Sequence, residues 1–235
     1  MKKKNKKKKK LEESYPKNLT RQDYFSSPIW FADEPKFVNS LNKASDKYIN
    51  EARTNMQPSI DKRNKANKTK GDLTNVYHST SLIGDPGFLE LQNYIGATSH
   101  NLLVEMGFDM NGHQLFTTEM WVQEFAKNGG GHHTLHTHWN GHISGFYFLK
   151  CSDKTSMPVF HEPRTGARST KLKMKDQKGV LAGSELIHFK PTPGTLIIFP
   201  GYLEHEFSID FGIEPFRFIH WNIQAVPKEM AKDVI

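Results

Sequence analysis

A single cysteine, Cys151, among 235 residues excludes an internal disulfide and any zinc site built on several thiolates. No apolar run approaches the roughly 20 residues that a bilayer-spanning helix needs, so no membrane span is expected. The first ten residues, MKKKNKKKKK, hold no acid, and no apolar stretch comes after them, which argues against a secretory signal. Together these absences lead to the expectation of a soluble, cytoplasmic chain.

The missing acid at the N-terminus also explains the charge. The formal net charge is +7, and residues 1–10 contribute eight lysines, so removing those eight leaves −1 for residues 11–235. The basicity belongs to a tail, expected over residues 1–20, that cannot build a core and should be disordered. Its functional reading is a weak, non-specific contact with anionic polymers. No aromatic residue interleaves with the lysines, as a single-strand binding platform would require.

Residues 21–112 read as a helical part packed on the β-rich remainder of the chain. In DEPKFVNSLNKASDKYINEART, Phe37, Val38, Leu41, Ala44, Tyr48, Ile49 and Ala52 recur at helical spacing, with Asp33 as a candidate N-cap. The polar stretch NMQPSIDKRNKANKTKGD reads as a long loop. PGFLELQNYIGATSHNLLVEMGF gives a second amphipathic helix, with Phe88, Leu91, Tyr94, Ile95, Leu102 and Met106 as its buried stripe. Over residues 113–235 the pattern changes to short aromatic and β-branched runs broken by Gly, Pro and Asn. These are LFTTEMWVQEF, HISGFYFLK, MPVFHE, SELIHFK, GTLIIFP, EHEFSID and FRFIHWNIQAV. The expected fold is mainly β with N-terminal helices, a barrel or sandwich of the jelly-roll, cupin-like type.

GGGHHTLHTHWNGHISGFYFLK, residues 129–150, holds His132, His133, His136, His138 and His142. His136 and His138 are two apart, so in an extended strand they point to one face and can converge on one ion. His132 would lie roughly 13 Å before His136 at about 3.3 Å per residue, and His133 has the opposite parity. Asn140-Gly141 is a tight-turn signal that would set His142 on the opposite side of the sheet from His138; whether His142 is a ligand stays open. His205, opening a strand after the buried run GTLIIFP, is the candidate third ligand, with Glu204 and Glu206 facing the other way.

HTHWNGHISGFYFLK, VFHEPR, PGTLIIFPGYLEH and EPFRFIHWNIQ, taken in order, resemble the 2-oxoglutarate/Fe(II)-dependent oxygenases. Within them they resemble a bacterial and phage branch that reads H-x-H, then S-G, P-R, G-x-L-x-x-F-P-x-x-x-x-H, R and N. The resemblance covers about residues 115–226. It implies a double-stranded β-helix and a catalytic Fe(II) on His136, His138 and His205. It further implies 2-oxoglutarate as co-substrate, with Arg217 anchoring its far carboxylate, Ser144 near that carboxylate, and Asn222 as a further cofactor-binding position. The implied activity uses O2 to hydroxylate an unidentified prime substrate, releasing succinate and CO2. His138 stands where an aspartate is usual in the wider superfamily. EPFRF also shifts the arginine by one position, which in a strand flips the face unless a bulge restores it.

Two other readings fit the same residues. A metal-binding cupin that does not use 2-oxoglutarate would match Gly130 to His138 and Gly194, Pro200 and His205, with His142 where a cupin glutamate is usual. A non-enzymatic nucleic-acid binder would act through the lysine tail. Trp139, Phe146, Phe148, Phe189 and Trp221 are candidate pocket residues. Arg164, Arg168, Lys171, Lys173, Lys175 and Lys178 give the loop between the metal-site strands a lean toward an anionic substrate.

Overall fold

The side-chain alternation of extended chain decides the architecture from residue 113 onward. A computed structural model describes residues 20–169, 172–174, 176 and 179–231; the lysine-rich tail at residues 1–19 and Lys171, Lys175 and Lys178 lie outside the described residues. The strands in chain order are β1 (Trp30–Asp33), β2 (Val76–His78), β3 (His113–Phe125), β4 (His133–His136) and β5 (Ile143–Lys150), then β6 (Pro158–His161), β7 (Leu186–His188), β8 (Thr195–Pro200), β9 (His205–Phe207) and β10 (Arg217–Pro227). They form a six-stranded sheet in the order β1-β8-β5-β10-β3-β2 and a four-stranded sheet in the order β4-β9-β6-β7. From β3 on, the chain passes repeatedly from one sheet to the other, and all pairs are antiparallel. This is the double-stranded β-helix, a jelly roll, and all seven expected runs are strands in it.

The large sheet has two apolar faces because both are covered. Phe146 and Phe148 of β5, Ile197 and Phe199 of β8, Phe207 of β9 and Phe218 of β10 meet between the sheets. The alternate residues, among them Tyr147, Leu149, Leu196, Ile198, Ile219 and Trp221, face the helices and pack on Leu41, Ile49, Leu91 and Ile95. α1 (Val38–Asn67) and α2 (Leu89–Glu105) supply that cover. Gly145 lets the layers close: a Cβ there would lie 2.3 Å from the Trp221 ring and 2.8 Å from the Ile197 carbonyl.

The expected loop over residues 55–72 is corrected. α1 continues to Asn67 through Pro58 and ends with Lys68 in the left-handed region at φ 55°. The reason is packing: Ala52, Ile60 and the flanking Met56 close on Tyr77 of β2, while Gln57 donates to Asp61 one turn on, at 2.8 Å. The expected stripe of α2 holds, with Phe88, Leu91, Ile95 and Leu102 buried. β1, β2 and β4 are too short or too polar to have stood out as runs.

Candidate metal centre

Three elements bring the histidines together. Gly129 and Gly130, at φ 83° and 84°, turn the chain out of β3 and into β4 of the small sheet. β4 pairs with β9, and the register sets His136 opposite His205. β4 ends at His136, so His138 sits in the next loop, where its backbone N–H donates to Gly201 O at 2.9 Å. The convergence of His136 and His138 therefore comes from a strand end plus a loop, not from the parity of one strand.

Donor nitrogens of His136, His138 and His205 lie within 4.8 Å of one another. Nε2 of His138 is 3.3 Å from Nε2 of His205. Two imidazoles sharing an ion at about 2.1 Å lie about 3.0–3.4 Å apart, so the spacing fits a shared ion. The tautomers fit as well. Nδ1 of His136 is 2.7 Å from Thr134 O, and Nδ1 of His205 is 2.9 Å from Leu203 O. A carbonyl only accepts, so each Nδ1 carries the proton and each Nε2 presents a lone pair, the arrangement a metal-binding imidazole needs. Burial, reinforced by the nearby His136 ring, pulls His138 down to about 4. Burial also holds His205 well below 6.5. Both are neutral at neutral pH.

Phe146, Phe160 and Phe199 wall the His205 ring at centroid distances of 5.5, 5.8 and 4.8 Å. A cavity of ≈ 480 Å³ lies beside His138, the one histidine of the three that lines it, with Trp139, Phe108, Tyr202 and Gln224 among its other lining residues. Of the remaining candidate pocket residues, Phe146 and Phe148 are core between the sheets, Phe189 packs on Phe31 and Phe160, and Trp221 belongs to the helix-facing core.

The other histidines of the motif are placed elsewhere. His132 is exposed. His133 points inward and donates from Nε2 to Gln123 Oε1 at 2.8 Å; burial brings it to about 4. His142 is exposed, and its Nδ1 accepts from Ala225 N at 3.1 Å, outside the cluster.

Ser144 and Asn222 are brought to the site. They face each other on β5 and β10, and Ser144 Oγ donates to Asn222 Oδ1 at 2.6 Å. Nδ2 of Asn222 lies 3.1 Å from Nδ1 of His138 and donates to Glu119 Oε2 at 2.8 Å. Arg217 is not brought to the site, which corrects the expected anchor. Its register against β5 shifts at Phe218, yet its side chain stays on the helix face. It donates from Nε to Glu124 Oε2 at 2.6 Å and from Nη1 to Asp46 Oδ1 of α1 at 2.7 Å. Arg53 donates to the same Glu124 at 2.6 Å. Burial raises the Glu124 carboxyl, but Arg217, Arg53 and Lys150 outweigh it and hold the group below its ordinary value. Arg217 is thus buried and fully paired, as its flanking aromatics suggested, but with protein carboxylates. Arg164 is engaged too, in a two-point pair with Glu162 at 2.7 Å.

Glu119, His220 and Gln123 are interior residues that sequence reading missed. Their signal was parity: His220 alternates with Phe218 and Asn222, and Glu119 alternates with Trp121 and Gln123.

Residues 119–212, less than half of the chain, match the family described as putative 2OG-Fe(II) oxygenase. The motif-level resemblance to these oxygenases is thereby borne out; the match does not resolve the bacterial and phage branch. No curated protein matches the chain. Among solved structures, a 2OG-Fe(II) oxygenase family oxidoreductase from Burkholderia pseudomallei is similar at 12% identity, covering 63% of this chain and 66% of its own, with a TM-score of 0.45. The α-ketoglutarate-dependent epimerase SnoN of nogalamycin biosynthesis aligns at 11% identity over 83% of this chain and 76% of its own, TM-score 0.48. A Pseudomonas putida prolyl-4-hydroxylase aligns at 12% identity over 84% and 92%, TM-score 0.45. None of the three is close enough to assign chemistry. No described helix is long and apolar enough to cross a membrane.

Proposed function

We propose that this chain is a 2-oxoglutarate- and O2-dependent Fe(II) oxygenase that hydroxylates an unidentified substrate, with succinate and CO2 as co-products. The observation that carries the reading is the convergence of three imidazoles, two with Nδ1 held by backbone carbonyls so that Nε2 faces a common point. In this reading His136, His138 and His205 hold the metal. The donor set suits a divalent first-row ion and leaves positions open for co-substrate and O2. Fe(II) with 2-oxoglutarate supplies the oxidising chemistry when bound.

The chain's own residues bind, orient and exclude water. Thr134 O and Leu203 O fix two ligand rings in the ligating tautomer; the third, His138, now takes an N–H of Asn222 at Nδ1 and ligates through Nε2 once its proton has moved off that atom. Phe146, Phe160 and Phe199 keep water from the His205 side. Ser144 and Asn222, at the inner edge of the cluster, are the polar groups proposed to contact the co-substrate. The cavity beside His138 is the proposed path for the prime substrate, and its Trp139, Phe108 and Tyr202 favour a partly apolar one. Arg217 has no place in this scheme. That observation favours a second reading, a metal-dependent jelly-roll enzyme that does not use 2-oxoglutarate.

Loading with Fe(II) without oxygen and then adding 2-oxoglutarate separates the two. The proposal expects a weak visible metal-to-ligand charge-transfer band, lost in His205→Ala, and succinate formation once O2 is admitted. Tight Fe(II) binding with no band and no succinate would transfer support to the second reading.

A further inference from the structure

One other group of donors lies deeper between the sheets. Glu119 of β3 and His220 of β10, with His138, place one ligand atom each within 4.8 Å of one another. Glu119 and His220 sit on neighbouring strands, where the register pairs Asn222 with Glu119 and His220 with Trp121. His220 is fully buried. Its Nδ1 lies 3.1 Å from Gly145 O and so carries the proton, leaving Nε2 as a lone pair. That Nε2 is buried with no hydrogen-bond partner. Buried polar atoms are rarely left unpaired, and those that are call for an explanation. The tautomer is the one found at His136 and His205, and again a backbone carbonyl sets it.

The neighbouring groups attract positive charge. The Glu119 carboxylate accepts from Asn222 Nδ2, and the same nitrogen lies 3.1 Å from His138 Nδ1. An amide NH2, the positive end of a dipole, bridges a carboxylate and an imidazole where a cation would be drawn as well. The His138 and His220 rings now stack at 4.5 Å and 27°, so one must turn edge-on to share an ion. His220 is fixed by a strand between two strands; His138 lies in a loop and can turn.

We propose that Glu119, His138 and His220 form a second binding site for a divalent first-row transition ion, sharing His138 with the three-histidine centre. The set is two histidines and one carboxylate, a recognised arrangement for such ions. It supplies from β3 the carboxylate that the H-x-H motif lacks. The proposal does not depend on the oxygenase reading, because it concerns metal alone.

The test is Co(II) titration of the full chain carrying His136→Ala, read by d–d absorption and by elemental analysis after desalting. His136 is half-exposed on a short strand, and unchanged circular dichroism would establish that the variant is folded. The expected result is saturable binding of one Co(II) per chain, a hundredfold or more weaker than wild type. Adding His220→Phe abolishes it, and adding Glu119→Gln weakens it at least tenfold. A folded His136→Ala chain with no saturable Co(II), or binding that His220→Phe changes less than threefold, would overturn the proposal. The His205→Ala chain, whose three-histidine centre is also broken, offers a check that does not rely on the first variant. With Co(II) in excess, the contact-shifted N–H proton of His220, protected by Gly145 O, appears there and is lost on adding His220→Phe; its absence from a folded His205→Ala chain counts against the site.

Discussion

On one face of β10, Arg217 sits among carboxylates with its charge met by Glu124 and Asp46. On the other, three and five residues further on, His220 leaves a nitrogen unpaired and Asn222 bridges Glu119 and His138. Both faces are buried and polar in part, yet they differ in completeness. The helix-facing charges close on one another and tie α1 to the large sheet. His136, His205 and His220 have their Nδ1 atoms settled by backbone carbonyls, which leaves a lone pair on each Nε2. A satisfied buried network fixes structure, whereas convergent lone pairs held in one tautomer are prepared for something the chain does not itself contain.

Removing one partner from the helix face is expected to have the largest effect. Arg217→Ala leaves Glu124 buried against an incomplete partner set and should cost about 3–5 kcal/mol in chemical denaturation. Replacing both, Arg217→Met with Glu124→Met, should restore near-wild-type stability, since an apolar pair of similar volume is often neutral. Next comes the interior. His205→Ala should weaken Fe(II) affinity by more than about 100-fold, exceeding the loss usual for groups that only support a ligand. Asn222→Ala removes the amide donor from His138 Nδ1, and calorimetry should show a smaller change in Fe(II) affinity than His205→Ala.

A further comparison separates the faces by pH. His133 and His138, at about 4 in the fold, titrate near 6.5 when unfolded. Below 6.5 the unfolded chain therefore binds more protons, so the metal-free protein should lose stability as pH falls from about 6.5 toward 4. Glu124 is held below its ordinary 4.5, so its contribution is present above that value and is lost only at lower pH. Denaturation midpoints at pH 7, 6 and 5 should fall in the wild type. A flat series would mean that the interior histidines are not held neutral by burial.

Much of this was legible in the sequence. The aromatic runs marked the strands, because buried jelly-roll strands are long enough to show as Val/Ile/Phe-rich segments between turns. His136, His138 and His205 stood out because H-x-H and a histidine after a Gly-to-Pro strand are positions that topology brings together. β1 and β2 were hidden by their length of four and three residues, and β4 by its composition, HTLH. The second half of α1 was hidden by Pro58 and by lysines on its solvated side; what holds it is Ile60 against Tyr77, a contact between distant segments. Arg217 carried its own warning in the one-residue shift against the family pattern, and the bulge at Phe218 does not reverse the face. Glu119 and His220 could have been found by extending parity from Asn222, but nothing local distinguishes them from ordinary strand residues.

The most direct test of the contrast between the two faces is anaerobic Fe(II) titration of the wild type, His205→Ala and Arg217→Met/Glu124→Met side by side. One tightly bound ion per chain is predicted in the wild type and in the helix-face variant, with equal affinity, and a loss of more than about 100-fold in His205→Ala. Equal affinity in His205→Ala, or loss of the metal from a folded Arg217→Met/Glu124→Met chain, would contradict it.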